Sequence, residues 1–171
     1  MKLISKLPIV LMLFIGGLMQ SSCGFYSFSG TSIPAEVETF SVSFFENTAP
    51  INSPLLSQTV TEKLKQKFIS ETNMSIAENA GDFSFSGNIV GFNVVPVSAQ
   101  STDNAQLNRL TIVVEVKLES KKDPKSSFEQ TFSNFQDFDA ATNFNDVEDQ
   151  LIDEISDMLI QSIFNKAAIN W

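Results

Sequence analysis

Histidine is absent from the 171 residues, and cysteine occurs once, at position 23. A Ser-His-Asp triad, a Cys-His pair and a histidine zinc site all need residues that this chain does not supply. Hydrolysis by two carboxylates across a cleft needs neither residue, but the acids here cluster on a predicted helix near the C-terminus. We therefore expect no enzyme activity and no bound metal or cofactor.

Basic residues are also scarce. The chain has 11 Lys and Arg against 20 Asp and Glu, so its formal net charge is -9. This charge argues against nucleic acid or an anionic membrane surface as a general partner. Any anion-binding site must therefore be local. Tyrosine and tryptophan occur once each against 16 phenylalanines, which indicates a core built largely from Phe within a sheet.

The N-terminal segment has the features of an export signal. Lys2 and Lys6 precede an apolar run over residues 7–19, and two serines then lead into Cys23. The run is shorter than the roughly 20 residues of a spanning helix. The pattern resembles the lipobox of bacterial lipoproteins, which predicts that residues 1–22 are removed and that Cys23 is acylated. The alternative is an ordinary signal peptide with an incidental cysteine.

Removal of residues 1–22 would leave 149 residues with a formal charge of -11, because two lysines are lost. This length fits one domain. Residues 23–35 mix Gly, Ser and Pro with aromatic residues, which predicts an extended tether between the lipid and the body. We expect residues 36–171 to form a single domain.

Apolar spacing predicts the first two elements. Over residues 38–46, Phe40, Val42 and Phe44 alternate with polar residues, which is typical of a strand with one buried face. Ser53 and Pro54 form an N-cap and first-turn pair. After them, apolar residues recur every four positions and predict a helix that ends near residues 72–73, with a buried stripe of Leu56, Val60, Leu64 and Phe68.

The remaining elements follow in order. We expect strands over residues 74–78, 83–97, 110–118 and 127–138, a hairpin tip at 121–125, and a final amphipathic helix over about 146–168. Gly87 and Gly91 interrupt the second of these strands and mark a bulge or a close approach. The predicted fold is α+β: a mixed or antiparallel sheet of four to five strands, with two amphipathic helices on one face. The other face should be polar.

Several segments in this order resemble the LptE family of lipopolysaccharide-assembly lipoproteins. They are CGFYSFSG, TFSVSFFENTA, DFSFSGNIVGF, NRLTIVVEVKLES, FEQTFSNFQDFD and LIDEISDMLIQSIFNKAAINW. The resemblance implies two helices on one side of a sheet of four or slightly more strands. It also implies a lipid-anchored plug at the periplasmic side of the outer membrane, inside an LptD-like β-barrel. Such a plug helps lipopolysaccharide reach the outer leaflet and performs no bond chemistry.

The few basic residues suggest where an anionic glycolipid would bind. Lys121, Lys122 and Lys125 gather at the predicted hairpin tip, and Arg109 lies at the start of the strand that leads there. Ammonium groups on an exposed tip can pair with lipid phosphates. These four residues are the candidate lipopolysaccharide contact. The alternative is that the lysines only solubilise a turn.

The leading functional hypothesis is a plug and assembly factor for the lipopolysaccharide-export barrel. An alternative is a free periplasmic lipoprotein that binds a small apolar or cell-wall ligand. A carboxylate hydrolase is disfavoured, because no paired-acid motif accompanies the missing histidine.

Overall fold

The computed structural model describes residues 32–51, 53–97 and 106–169. In chain order the elements are β1 (Thr39–Val42), β2 (Glu46–Asn47), α1 (Pro54–Glu71), β3 (Ser75–Ile76), β4 (Phe83–Val97), β5 (Leu107–Ser120), a 3-10 turn (Pro124–Ser126), β6 (Phe128–Asp139) and α2 (Phe144–Ala168). The sheet order is β3-β1-β4-β5-β6, and β2 also pairs with β4. β1 lies parallel to β3 and β4, whereas β4, β5 and β6 form an antiparallel meander. The predicted α+β fold with a mixed sheet is confirmed.

Helix α1 begins and ends close to the predicted positions. Pro54 occupies its first turn, where a missing N–H costs nothing. Ser53 stands at the N-cap with an extended backbone, but its side chain makes no capping hydrogen bond within the described residues. At the other end, Thr72 donates both its N–H and its hydroxyl to the carbonyl of Phe68. The predicted stripe is buried: Leu56, Val60, Leu64 and Phe68.

Helix α2 begins at Phe144, two residues before the predicted start. The side chain of Asn143 accepts a hydrogen bond from the N–H of Asn145 at 3.2 Å. This satisfies one of the free N–H groups of the first turn, so Asn143 is the N-cap. The buried face of α2 is wide and covers one side of the sheet through Leu151, Ile152, Ile155, Leu159, Ile160, Ile163 and Phe164.

Phenylalanine rings join the helices to the sheet. The ring of Phe68 on α1 lies 5.6 Å from that of Phe40, 4.8 Å from that of Phe85 and 5.1 Å from that of Phe164 on α2. All four side chains are buried, and tilted or edge-on rings at these distances attract one another beyond their burial. Phe68 is therefore the point where both helices and two strands meet.

Strand β4 contains the predicted irregularity. Its register against β5 shifts between Ile89 and Gly91. As a result, the buried large side chains are at odd-numbered positions before the shift (Phe85 and Ile89) and at an even-numbered position after it (Phe92). The backbone of β5 also approaches closely at Gly87, where an added Cβ would lie 2.1 Å from the carbonyl oxygen of Glu115. The prediction of a bulge and a close approach is confirmed.

The predicted burial of Phe44 is wrong. Its side chain is 61% exposed, whereas Phe45 is fully buried. The strand ends at Val42. Between it and β2, the alternation of buried and exposed side chains shifts by one residue. A hydrogen bond from the N–H of Phe45 to the Thr61 hydroxyl at 3.1 Å holds this arrangement. Because strand side chains alternate, this single step moves the aromatic ring from one face to the other.

The sheet face away from the helices is mainly polar, as expected, and also carries the exposed side chains of Phe44, Val95 and Phe135. The alternate positions of β4 to β6 that point to this face include Ser86, Asn88, Thr111, Glu115, Lys117, Glu129 and Thr131. We call this the open face. No described helix is long and apolar enough to cross a membrane.

Candidate functional site

The hairpin between β5 and β6 has an ordered tip. The side chain of Asp123 accepts a hydrogen bond from the Ser126 hydroxyl at 2.6 Å and from the N–H of Lys125 at 3.3 Å. The hydroxyl of Ser120 accepts from the N–H of Asp123, and that of Ser127 accepts from the N–H of Ser120. Short polar side chains thus take up the backbone donors of the turn, and the lysines project from a fixed base.

Asp82 connects this tip to the beginning of β1. Its carboxylate accepts hydrogen bonds from the N–H groups of Glu38 and Thr39 and from the Thr39 hydroxyl, at 2.9 to 3.0 Å. It also pairs with the Lys122 ammonium at 3.2 Å. The Glu38 N–H is the largest cause that holds the pKa of Asp82 down at about 2, and Thr39 and Lys122 add to it. Asp82 therefore stays ionised well into acid.

The tip lysines differ in how they are held. The ammonium of Lys122 donates to the carbonyl of Glu36 as well as pairing with Asp82. That of Lys121 donates to the carbonyl of Ala80 at 3.0 Å. Within the described residues, no acid pairs with the ammonium of Lys125.

Lys125 shares a small polar cleft with a residue that the sequence interpretation missed. The cleft holds about 90 Å³ and is lined by residues that include Ser32, Asp123, Lys125, Phe128 and Lys166. Lys166 lies in the last turn of α2, with its ammonium 5.8 Å from the centre of the Phe128 ring. A basic residue in the last turn of a helix is common because it interacts favourably with the helix dipole. The position of Lys166 in the sequence therefore gave no indication that it lies near the tip.

Arg109 lies apart from the lysines. It is near the other end of β5, twelve residues from Lys121, or about 40 Å for an extended strand. Its guanidinium donates to both carboxylate oxygens of Asp137, at 2.7 and 2.9 Å, and lies 3.7 Å from the centre of the Phe135 ring. These hydrogen bonds raise the pKa of Arg109 and lower that of Asp137. The structure does not bring Arg109 and the tip lysines together.

The described basic residues fall into two groups. Six of the nine form ion pairs with acids: Lys63, Lys65, Lys67, Arg109, Lys117 and Lys122. The other three, Lys121, Lys125 and Lys166, are exposed and form no ion pair within the described residues. All three lie at the hairpin-tip end of the molecule. We call this end the basic end.

The beginning of the described chain also lies at the basic end. The N–H of Ser32 donates to the carbonyl of Ala168 at 2.6 Å, at the end of α2. Cys23, the predicted lipidation site, lies outside the described residues. The described residues contain no group of three or more His, Cys, Asp or Glu side chains that could hold a metal ion.

The open face carries a second, shallower depression. It has a volume of about 310 Å³ and is lined by residues that include Phe44, Glu46, Asn88, Glu115 and Lys117. Its walls combine polar side chains with a comparable apolar part, which includes the exposed ring of Phe44. Because it is shallow and open, this depression suits contact with another surface better than enclosure of a small molecule.

The fold places the chain in the α+β class, and comparison with solved structures finds bacterial proteins of similar fold. A protein from Xanthomonas campestris is 13% identical with a TM-score of 0.51, over 75% of this chain and 84% of that one. The minor lipoprotein from Acinetobacter baumannii is 15% identical with a TM-score of 0.43, over 78% and 92%. Rare lipoprotein B from Shewanella oneidensis is 12% identical with a TM-score of 0.42, over 74% and 93%. At these identities the similarity concerns the fold alone.

The family model for LptE, described as lipopolysaccharide-assembly, matches residues 37–167. The chain therefore belongs to the LptE family, and its role at the level of the family is in lipopolysaccharide assembly. Among curated protein sequences, none matches this chain.

Proposed function

We propose that the protein is a lipid-anchored plug and assembly factor for an LptD-like outer-membrane barrel, and that it helps deliver lipopolysaccharide to the outer leaflet without bond chemistry. The observation that carries this proposal is the open face. The helices cover one side of the sheet, and the other side presents polar side chains along three long strands. The lumen of an outer-membrane barrel is also polar, so the two surfaces match.

Co-purification with the barrel of the same bacterium tests this proposal. We expect a stable one-to-one complex with the wild-type chain. The variant Thr111→Arg places a long charged side chain on β5, the middle of the three long strands of the open face, and the chain should no longer bind the barrel. Gln66→Arg adds the same charge to an exposed position of α1 and should retain it. A wild-type chain that never co-purifies with the barrel contradicts the function, whereas equal recovery of both variants contradicts the open face as the contact.

The proposal places the protein at the periplasmic side of the outer membrane through lipid on Cys23. Several acyl chains together give attachment that a single chain does not. The variant Cys23→Ala should lose incorporation of labelled palmitate and leave the membrane fraction, while Ser27→Ala should keep both. Palmitate incorporation in Cys23→Ala would contradict acylation at this residue.

We also propose that the basic end contacts the phosphates of lipopolysaccharide. Lys121 and Lys125 form no ion pair with a described acid, and the ammonium of Lys121 uses only one of its three donors on the Ala80 carbonyl. Both can therefore form charge-assisted hydrogen bonds with an anion. Lys166 adds a third charge beside Lys125. Lys122 and Arg109 already have carboxylate partners, so we expect smaller contributions from them.

A binding assay with purified lipopolysaccharide separates these groups. Joint replacement of Lys121, Lys122 and Lys125 by Ala should weaken binding strongly, and Lys125→Ala with Lys166→Ala should do the same. As a matched control, joint replacement of Lys63, Lys65 and Lys67 on α1 removes three charges elsewhere and should leave binding intact. Unchanged binding in both tip variants would contradict this contact.

The alternative of a small apolar or cell-wall ligand gains no support from the two clefts described above, because neither encloses a small molecule. One is polar and far smaller than the roughly 300–1,000 Å³ typical of ligand pockets, and the other is a shallow surface depression.

A further inference from the structure

The two edges of the sheet are very different. One edge is β3, with two residues, beside β1, with four. The other edge is β6, which has 12 residues and pairs only with β5 within the described part of the chain. A long unpaired edge exposes a row of N–H and C=O groups that another strand can bind.

Two hydrogen bonds show which backbone N–H and C=O groups of β6 point away from β5, toward the open edge. The N–H of Ala140 donates to the carbonyl of Gln106, so the backbone N–H and C=O groups of even-numbered residues point toward β5. The N–H of Phe135 donates to the side chain of its neighbour Asn134 at 2.9 Å, so the backbone N–H and C=O groups of odd-numbered residues point away from β5. The register of β6 against β5 is continuous, and backbone direction alternates along a strand. The outward donors and acceptors are therefore those of the odd-numbered residues, and among them the N–H of Phe135 is already taken by Asn134. Those of Glu129, Thr131, Ser133 and Asp137 are on the open edge.

This edge lacks the devices that usually prevent pairing. Residues 130–136, QTFSNFQ, contain no charged residue, no proline and no glycine. The pairing with β5 shows no bulge that would twist the edge away. Natural edge strands are normally blunted by lysine, proline, bulges or short length. An edge of this length and composition is suited to completion by another strand.

The charge of β6 indicates what kind of strand fits. Glu129, Asp137 and Asp139 flank the uncharged centre, and β6 carries no base. Arg109 already pairs with Asp137, so Glu129 and Asp139, one at each end, are the acids without an ion pair within the described residues. Pairing with β6 of a second copy would bring acids close to acids, which is unfavourable between neighbouring strands. The net charge of -9 also favours a basic partner over a second copy.

We propose that β6 is a docking edge for an extended segment of a partner protein, with an uncharged centre and basic side chains at its ends. The segment adds a strand to the sheet through the outward groups of β6, and its basic residues lie near Glu129 and Asp139. This inference goes beyond the proposed function, and its test does not require the barrel to be the partner.

Residue-resolved hydrogen exchange of the mature chain, with a synthetic peptide, tests the proposal. The probe is a nine-residue peptide of alternating Thr and Val with a lysine at each end, and its matched control has glutamates at the ends. In the free protein, the amides of Thr131 and Ser133 should exchange fast and those of Phe132 and Asn134 slowly. The lysine-ended peptide should slow Thr131 and Ser133 about tenfold or more, saturably, at up to about 1 mM.

Proline variants supply the structural control. Ser133→Pro removes an outward N–H and leaves the inward bonds of β6 to β5 in place, which edge strands tolerate. It should abolish the effect of the peptide, whereas Ser133→Ala should preserve it. Slow exchange at Phe132 verifies that the variant is folded. Thr131→Pro provides the same test if Ser133→Pro does not fold.

Three results would overturn the proposal. The first is no slowing at Thr131 and Ser133 with the lysine-ended peptide, or equal slowing with the glutamate-ended control. The second is slowing that depends on protein concentration without peptide, which would make a second copy the occupant. The third is slow exchange of these amides in the mature chain that is lost when residues 24–31 are deleted, which would make the chain's own N-terminal segment the occupant.

Discussion

The two faces of the sheet use the same strands for different purposes. On β5, Leu110, Ile112, Val114, Val116 and Leu118 point to the helices and are at most 1% exposed. Their neighbours, among them Thr111, Glu115 and Lys117, point to the open face. One face therefore holds the fold together, and the other is free to meet a partner. Substitutions on the two faces should separate stability from binding.

The largest effect is expected at the junction of the covered face. Phe68→Ala would remove the ring that contacts Phe40, Phe85 and Phe164. We expect a loss of about 3–5 kcal/mol in the free energy of unfolding, as for other large core truncations. Urea denaturation measures it. The control, Phe135→Ala on the open face, removes a ring that is 45% exposed. Equal losses for the two variants would contradict the distinction between the faces.

The second effect concerns the backbone shared by both faces. Gly87→Ala would place a methyl group 2.1 Å from the Glu115 carbonyl oxygen and 2.7 Å from the Phe45 ring. β4 and β5 must move apart to accommodate it, at a cost of about 1–3 kcal/mol. Ser86→Ala, one residue earlier, should cost much less in the same denaturation assay. A Gly87→Ala variant as stable as the wild type would show that the strands adjust without cost.

A third change should stabilise the covered face. The hydroxyl of Ser156 on α2 is buried and has no hydrogen-bond partner within the described residues. Ser156→Ala removes this unpaired polar group and should raise the free energy of unfolding by about 1 kcal/mol. Ser162→Ala on the exposed side of α2 controls for the higher helix propensity of alanine. If Ser162→Ala stabilises as much, burial of the hydroxyl is not the cause.

The last effect is confined to acid pH and concerns Asp82, which pairs with Lys122 of the hairpin tip. Since the folded pKa of Asp82 is about 2, below its ordinary value of 3.8, its stabilisation is fully present above pH 3.8. That stabilisation is lost as the pH falls from 3.8 through about 2. Denaturation curves between pH 5 and pH 2 should show this loss in the wild type and a smaller loss in Asp82→Asn. Glu78→Gln, an exposed nearby acid, should follow the wild type.

The regular elements could be predicted because local spacing determines them. The alternation of β5 and the four-residue spacing of α1 depend only on periodicity, and each was confirmed. The exchange of Phe44 for Phe45 could not be predicted, because both are aromatic neighbours and only the contact of Phe45 with Thr61 on α1 decides between them. The spacing of apolar residues along the chain carries no information about contacts between residues distant in sequence.

The candidate site was predictable only where it is local in sequence. Lys121, Lys122 and Lys125 share one turn, so their proximity follows from the sequence. Lys166 joins them because α2 ends beside the hairpin. Arg109 is separated from them by the length of β5. Both placements depend on how the elements pack, which residue spacing alone does not reveal.

The hydrogen bond between Ser32 and Ala168 has a consequence for orientation at a bilayer. Ser32 lies nine positions after Cys23, and this length of chain spans at most about 30 Å when fully stretched. An acyl group on Cys23 would therefore limit how far the body can swing from the lipid surface. It would keep Ser32, and with it the basic end, within that reach of the lipid surface.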